Sequence, residues 1–117
     1  MVTSSNSSPA LPTPAAWAPA PEDLMPRLQD DTFRGHFERA LEEAVKDPID
    51  RDAMRRRYGL VTGQSATLQQ LGAHFGVSGA RIGQRLYRSW GRIRGRAQYQ
   101  ERKGIPGNCY WLMTQLV

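Results

Sequence analysis

The side chains best placed to do chemistry are arginines that repeat along one stretch of the chain. Spacings of four, three, four and four separate Arg81, Arg85, Arg88, Arg92 and Arg96. If this stretch is a helix, these spacings place all five guanidinium groups along one side of it, where they can contact phosphates. The pattern therefore indicates ionic binding of a polyanion, and a solvated arginine face is the alternative interpretation.

Two helices joined by a tight turn are predicted to position these arginines. Gly76 suits the left-handed backbone that ends one helix, and Ser78 suits the N-cap of the next. Thr67 is the expected N-cap of the first helix, which is short and amphipathic. The apolar stripe of the second helix consists of Ile82, Leu86, Trp90, Ile93 and Ala97. The sequence therefore predicts a helix-turn-helix whose second, recognition helix covers about residues 78–97.

The charge of the chain is divided unevenly. Residues 53–117 contain eleven Lys and Arg and one acidic residue, a net charge of +10, whereas residues 1–52 contain five basic and ten acidic residues, a net charge of −5. The two parts together give the overall +5. One-signed charge of this size favours a polyanionic partner, most simply double-stranded DNA.

Residues 49–94 resemble region 4 of the sigma-70 family of bacterial RNA polymerase sigma factors. The blocks that match are RRRYGL at residues 55–60 and TLQQLGAHFGVS at residues 67–78, which stand at the family's spacing without a gap. The resemblance implies an all-helical DNA-binding domain that places the helix from Ser78 in the major groove. It also implies the alternative of a module that binds RNA polymerase or another transcription factor.

The recognition helix departs from the family at its first turns. Positions that contact bases in the family are Gly79, Ala80 and Gly83 here, so the resemblance does not carry over recognition of the promoter's −35 element. Of the remaining polar side chains, Gln84 is the candidate for bidentate contact to an adenine, and Arg81 or Arg85 for contact to a guanine. The predicted DNA-binding residues are Ser78, Gly79, Ala80, Arg81, Gln84, Arg85, Arg88 and Arg92.

Two further features bear on the interface. Phosphate contacts are predicted for Arg55, Arg56, Arg57 and Thr67, although the three arginines equally suit a structural role at a helix C-terminus. Four glycines, at positions 79, 83, 91 and 95, are expected to share one face of the recognition helix, so that one strip of its surface has almost no side chains. Such a strip allows close approach of a DNA strand or a neighbouring helix, and sequence drift is the other interpretation.

The rest of the chain predicts an all-α fold: a four-helix domain that contains the helix-turn-helix. Residues 1–26 hold six of the eight prolines and are expected to form a disordered arm, followed by the domain at residues 27–103. The first helix is expected from Asp31 or Thr32 to about Lys46, with Phe33, Phe37, Leu41 and Val45 facing inward. Asp47 is expected to cap the second helix, which starts at Pro48 and ends at Gly59.

The apolar segment at residues 104–117 has two interpretations. Its aromatic and aliphatic composition after Pro106 and Gly107 suits a short strand, and a short helix packed on the domain is the alternative. A strand in this position is similar to TrfB/KorA-type plasmid repressors, in which it helps the protein dimerise. Contacts with a second copy or a partner are predicted for Tyr110, Trp111, Leu112 and Leu116.

Several classes of function are not expected. His36, His74 and Cys109 lack the spacing of a zinc site, and no nucleotide-binding glycine pattern occurs, so we expect no enzyme, no cofactor and no metal. No run approaches the roughly 18 apolar residues of a membrane span. The sequence thus predicts a cytoplasmic, nucleoid-associated transcriptional regulator of a bacterium, phage or plasmid, acting on duplex DNA as a homodimer.

Overall fold

The computed structural model describes residues 18–116, which fold into six α-helices and contain no strand. The helices are α1 (Pro21–Leu24), α2 (Asp31–Ala44), α3 (Pro48–Arg57), α4 (Leu68–Phe75), α5 (Gly79–Lys103) and α6 (Asn108–Leu116), with a 3₁₀ turn at Arg27–Gln29. The predicted all-α class is confirmed, and α1 and α6 are additional to the four helices expected. None of these six helices is both long enough and apolar enough to cross a lipid bilayer.

Polar caps start the helices where the sequence predicts. The Asp47 carboxylate accepts a hydrogen bond from the Ile49 N–H at 2.9 Å, ahead of α3. Thr67 and Gln70 form a reciprocal capping box at the start of α4. The Ser78 hydroxyl accepts from the Arg81 N–H at 3.1 Å at the start of α5. Each cap satisfies a backbone donor that has no partner within its helix.

The turn between α4 and α5 is tight for two reasons. Gly76 ends α4 with a φ of +75°, the left-handed conformation predicted for it. Gly72, one turn earlier, is buried, and a Cβ on it would lie 2.5 Å from the Val77 carbonyl oxygen. Only glycine at position 72 therefore lets the chain fold back this closely onto α4.

Helix α5 runs through the centre of the domain and is longer than predicted, since it continues from about residue 97 to Lys103. The predicted inward stripes are confirmed. Buried residues include Ile82, Leu86, Trp90, Ile93 and Ala97 on α5, with Phe33, Phe37 and Leu41 on α2 and Val45 directly after it. The apolar side chains of α5 thus pack against those of α2, whereas most of its polar side chains face outward, with Ser89 and Gln100 as buried exceptions.

Tyr58 ties the start of the described chain to this core. Its hydroxyl donates to the Pro19 carbonyl oxygen at 2.8 Å and accepts from Trp90 Nε1 at 2.9 Å. Burial raises the pKa of Tyr58 to about 12, and the hydrogen bond from Trp90 opposes this only in part. Residues 18–26 of the predicted arm thus pack on the domain through Pro19 and the buried Leu24, whereas residues 1–17 lie outside the described residues.

The C-terminal segment is the helix α6, so the strand interpretation is wrong and the packed-helix alternative is confirmed. Leu112 is fully buried, and Trp111 stacks on His36 with ring centroids 3.9 Å apart. Most of the apolar surface of α6 is therefore used within one chain, against α2 and α5. Of the residues predicted to contact a second copy, Tyr110 is the most exposed, at 39%.

Candidate functional site

An exposed strip on the first turns of α5 brings together the main predicted DNA contacts. It consists of Ala80, Arg81, Gln84 and Arg88, and we call it the outer strip. Residues 80, 84 and 88 follow one another at about one helical turn, and Arg81 lies beside them. The side chains of Arg81, Gln84 and Arg88 make no ion pair or hydrogen bond with another residue of the described part of the chain. Their polar groups are therefore available to a partner.

Arg85 has a different position from the one predicted for it. Its Nε donates to Asp50 Oδ1 at 2.6 Å and its Nη2 donates to Asp47 Oδ2 at 2.9 Å. The Arg85 side chain is 23% exposed and that of Asp50 only 8% exposed. The hydrogen bond to Asp50 raises the pKa of Arg85 above its ordinary value. In this structure Arg85 thus links α5 to the start of α3, and its guanidinium does not face outward with the outer strip.

The remaining arginines of the predicted stripe also differ from one another. Arg92 is half exposed, and its Nη1 lies 3.9 Å from Asp50 Oδ2. The Arg96 guanidinium lies over the ring of Tyr99, 5.3 Å from its centroid. The stripe is thus divided between Arg81 and Arg88, which face outward, and arginines that contact other side chains of the domain.

The four glycines of α5 do not form the single bare strip that was predicted. A Cβ at Gly79 would lie 3.5 Å from the backbone of Leu68 and Gln69, and one at Gly83 would lie 3.3 Å from Leu68 Cδ1. Gly79 and Gly83 therefore both face α4, where a Cβ at Gly79 would make an ordinary contact and one at Gly83 a tight one. In contrast, nothing lies within 4 Å of a Cβ at Gly91 or Gly95. Because a helix turns by about 100° per residue, the twelve positions from 79 to 91 rotate the second pair onto the exposed face.

The other predicted phosphate contacts have partners within the fold. Arg55 Nε donates to Glu38 Oε1 at 2.6 Å, and Arg56 is paired with Asp52 one turn earlier. Arg57 Nη1 donates to the Ala66 carbonyl oxygen at 2.8 Å. Thr67 uses its hydroxyl in the capping box of α4. These contacts agree with the structural interpretation of the three arginines.

Two cavities flank the outer strip, and sequence reasoning missed both. A cavity of about 580 Å³, the cationic cavity, lies between α5 and the corner that joins α2 to α3. It is lined by Ala44, Lys46, Asp47, Asp50, Arg81, Arg85, Arg88 and Arg92. A groove of about 540 Å³, the apolar groove, lies on the other side of α5 and includes Pro21, Leu68, Gly83 and Tyr87. Lys46 and Asp50 are more than 30 positions from the arginines they approach, so no local pattern reveals this contact.

The described structure gives no sign of thiol or metal chemistry at the residues considered for it. Burial, together with the nearby Glu43 carboxylate, raises the pKa of the Cys109 thiol to about 12, so this thiol is neutral near pH 7. Within residues 18–116, no three His, Cys, Asp or Glu side chains are grouped as metal ligands would be.

No protein-family model, curated protein or solved structure matches the chain.

Proposed function

We propose that this protein is a DNA-binding transcriptional regulator that inserts the first turns of α5 into the major groove. The observation that carries the proposal is the outer strip: two arginines and a glutamine, exposed and without a described partner, on the helix that follows a tight turn. A major groove admits one α-helix, and Arg and Gln side chains are suited to the edges of guanine and adenine. The resemblance of residues 49–94 to sigma region 4 supports the same assignment.

The roles of the strip residues follow from their chemistry. The Gln84 amide presents an N–H donor beside its carbonyl acceptor, and this pair matches an adenine edge. Arg81 replaces Arg85 as the candidate for guanine, because Arg85 is held by Asp47 and Asp50. Arg88 and Arg92 are the candidates for phosphate. Such a regulator acts on chromosomal or plasmid DNA, in the cytoplasm and at the nucleoid.

The first test is fluorescence-anisotropy titration of the full chain with pooled random duplex DNA at several salt concentrations. We expect binding that weakens as salt rises, with a slope of about 0.9 in log Kd per log salt for each phosphate contact. Arg88→Ala is expected to weaken binding, whereas Arg102→Ala, an equal charge change at the far end of α5, serves as the matched control. Absence of binding at low salt would refute the proposal.

A second test separates sequence reading from general affinity. Duplexes selected from the random pool are sequenced, and Gln84→Ala is compared with the parent on the selected and unselected DNA. We expect this variant to lose affinity only for the selected sequence, since base contacts specify and phosphate contacts position. An inverted repeat among the selected sequences would indicate binding as a homodimer.

The alternative function is a module that binds RNA polymerase or another transcription factor. The apolar groove favours it, because Leu68 and Tyr87 line an open surface directly beside the outer strip. Binding through such a surface depends little on salt, unlike binding to phosphates. A titration with purified RNA polymerase that stays equally tight as salt rises, together with no affinity for DNA, would support this alternative over the first proposal.

A further inference from the structure

We propose that the cationic cavity receives a phosphate group of the DNA backbone, so that the bound duplex extends from α5 onto the corner between α2 and α3. This inference rests on the proposed function. It adds Lys46 to the interface, a residue that no sequence pattern marks. It also predicts that one of the two DNA strands beside α5 contacts a second element of the domain, the corner between α2 and α3, through its phosphates.

The corner between α2 and α3 is held in a fixed shape. Arg51 Nη1 donates to the Val45 carbonyl oxygen at 2.8 Å and to the Lys46 carbonyl oxygen at 3.0 Å. The Asp47 carboxylate caps α3 and also accepts from Arg85, which connects the corner to α5. Because the backbone on both sides of Lys46 is fixed, its exposed side chain is presented beside the arginines of α5.

The charges around the cavity favour an anion. Five basic and two acidic side chains line it, a net charge of three positive units. Arg85 donates to both carboxylates, and Arg92 Nη1 lies 3.9 Å from Asp50 Oδ2, so these four side chains together are neutral. The net positive charge is therefore that of Lys46, Arg81 and Arg88. The Lys46 ammonium and the Arg88 guanidinium make no ion pair with another residue among positions 18–116. An entering phosphate therefore meets cationic donors that need not first leave another partner.

The extent of the cavity along α5 favours a nucleic-acid backbone over an isolated anion. Its lining on this helix reaches from Arg81 to Arg92, which is about 16 Å at 1.5 Å per residue. Each strand of B-DNA carries one phosphate per about 3.4 Å of helix axis. A row of this length is longer than a single small anion occupies, and it can contact a phosphate of a strand that continues past the cavity beside the outer strip.

Two substitutions of Lys46 test the inference. Lys46→Ala removes the charge and Lys46→Glu reverses it, and both are compared with Lys103→Ala, the only other lysine in the chain, which lies near the far end of α5. Binding to pooled random duplex DNA is measured by anisotropy over a range of salt. We expect Lys46→Ala to weaken binding about threefold to tenfold at low salt and to lower the salt slope by about 0.9. Lys46→Glu should weaken it more, and Lys103→Ala should leave the slope unchanged.

The outcomes separate this inference from the proposed function. If the parent binds DNA and Arg88→Ala weakens it, but both Lys46 variants behave like Lys103→Ala, the backbone does not enter the cavity and the inference is overturned while the function stands. If the parent binds no DNA, the function and the inference fail together. Lys46 is exposed and makes no described hydrogen bond through its ammonium, so the variants are expected to retain the parent's circular dichroism.

Discussion

The attachment of α6 depends on the carboxylate of Glu43, and Glu43→Gln tests it. Glu43 Oε2 accepts from Asn108 Nδ2 at 2.6 Å and from the Asn108 N–H at 3.3 Å. Glu43 Oε1 accepts from the Cys109 N–H at 3.3 Å and from Gln100 Nε2 at 3.1 Å. One side chain on α2 therefore satisfies the first backbone donors of α6 and fixes α6 against α5. A glutamine replaces one of these acceptors by a donor, which faces other donors.

The size of the effect follows from the pKa of Glu43. Burial by itself raises this pKa, but the hydrogen bonds from Asn108, Gln100 and Cys109 outweigh burial and lower it from 4.5 to about 2. A difference of this size corresponds to at most about 3.4 kcal/mol of folding stability. Because the carboxylate is partly exposed, screening by solvent reduces the expected contribution to about 1–2 kcal/mol.

The dependence on pH has a defined sign. The pKa is lower in the folded than in the unfolded chain, so the contribution is complete above pH 4.5 and is lost as pH falls towards 2. Urea unfolding of the parent and of Glu43→Gln should therefore differ by about 1–2 kcal/mol near pH 7, and by less than half of that near pH 3. Glu42→Gln, the exposed neighbour, is the matched control and should leave the stability unchanged at both values.

The result that contradicts this reasoning is specific. If Glu43→Gln lowers the free energy of unfolding equally near pH 7 and near pH 3, the lost stability comes from packing and not from the ionised carboxylate. If Glu42→Gln reproduces the pH-dependent difference, the effect comes from the general charge of α2.

Three further predictions concern other elements. Gly72→Ala should destabilise the fold by about 2–4 kcal/mol in urea unfolding, because its Cβ would lie 2.5 Å from a backbone oxygen, whereas Gly91→Ala should stabilise it by about 0.5–1 kcal/mol. Equal changes in the free energy of unfolding for the two variants would contradict the close contact at Gly72 and the open surface at Gly91. Arg85→Ala should cost about 2–3 kcal/mol, since it leaves the buried Asp50 carboxylate without its closest partner, and a neutral result would show that the pair is not structural. The Cys109 thiol should react about 5–30 times faster with a disulfide reagent in Glu43→Gln, because weaker attachment of α6 exposes the buried thiol more often. An unchanged rate would show that exposure of the thiol does not depend on the contacts of Glu43 with α6.

Features determined by neighbouring residues could be predicted from the sequence. Asp47, Thr67 and Ser78 cap helices through donors two or three positions away, and Gly76 ends α4 through its own backbone angle. The inward stripes of α2 and α5 follow from spacing alone. The exposed part of the candidate site lies on the face of α5 opposite its apolar stripe, so the same spacing predicts the surface positions of Arg81, Gln84 and Arg88.

Features determined by distant residues could not be predicted in this way. The guanidinium of Arg85 lies at a spacing that suits a phosphate contact, and only the approach of Asp50, 35 positions earlier, gives it an internal partner. Similarly, the composition of residues 108–116 suits a strand in isolation. A helix forms there because Glu43 caps its first turn and Leu112 finds a buried site. Tertiary contacts override local preference in both cases.

The two open glycines of α5 make the protein suitable for labelling at a single site. Gly91 and Gly95 lie just beyond the outer strip, and a Cβ added at either position would meet no atom of another element within 4 Å. A cysteine introduced there would carry a maleimide dye, while the native Cys109 is buried and its thiol pKa is about 12. The native cysteine can therefore stay in place, and a fluorophore at position 91, about one turn from Arg88, would report the arrival of any partner on the exposed face of α5.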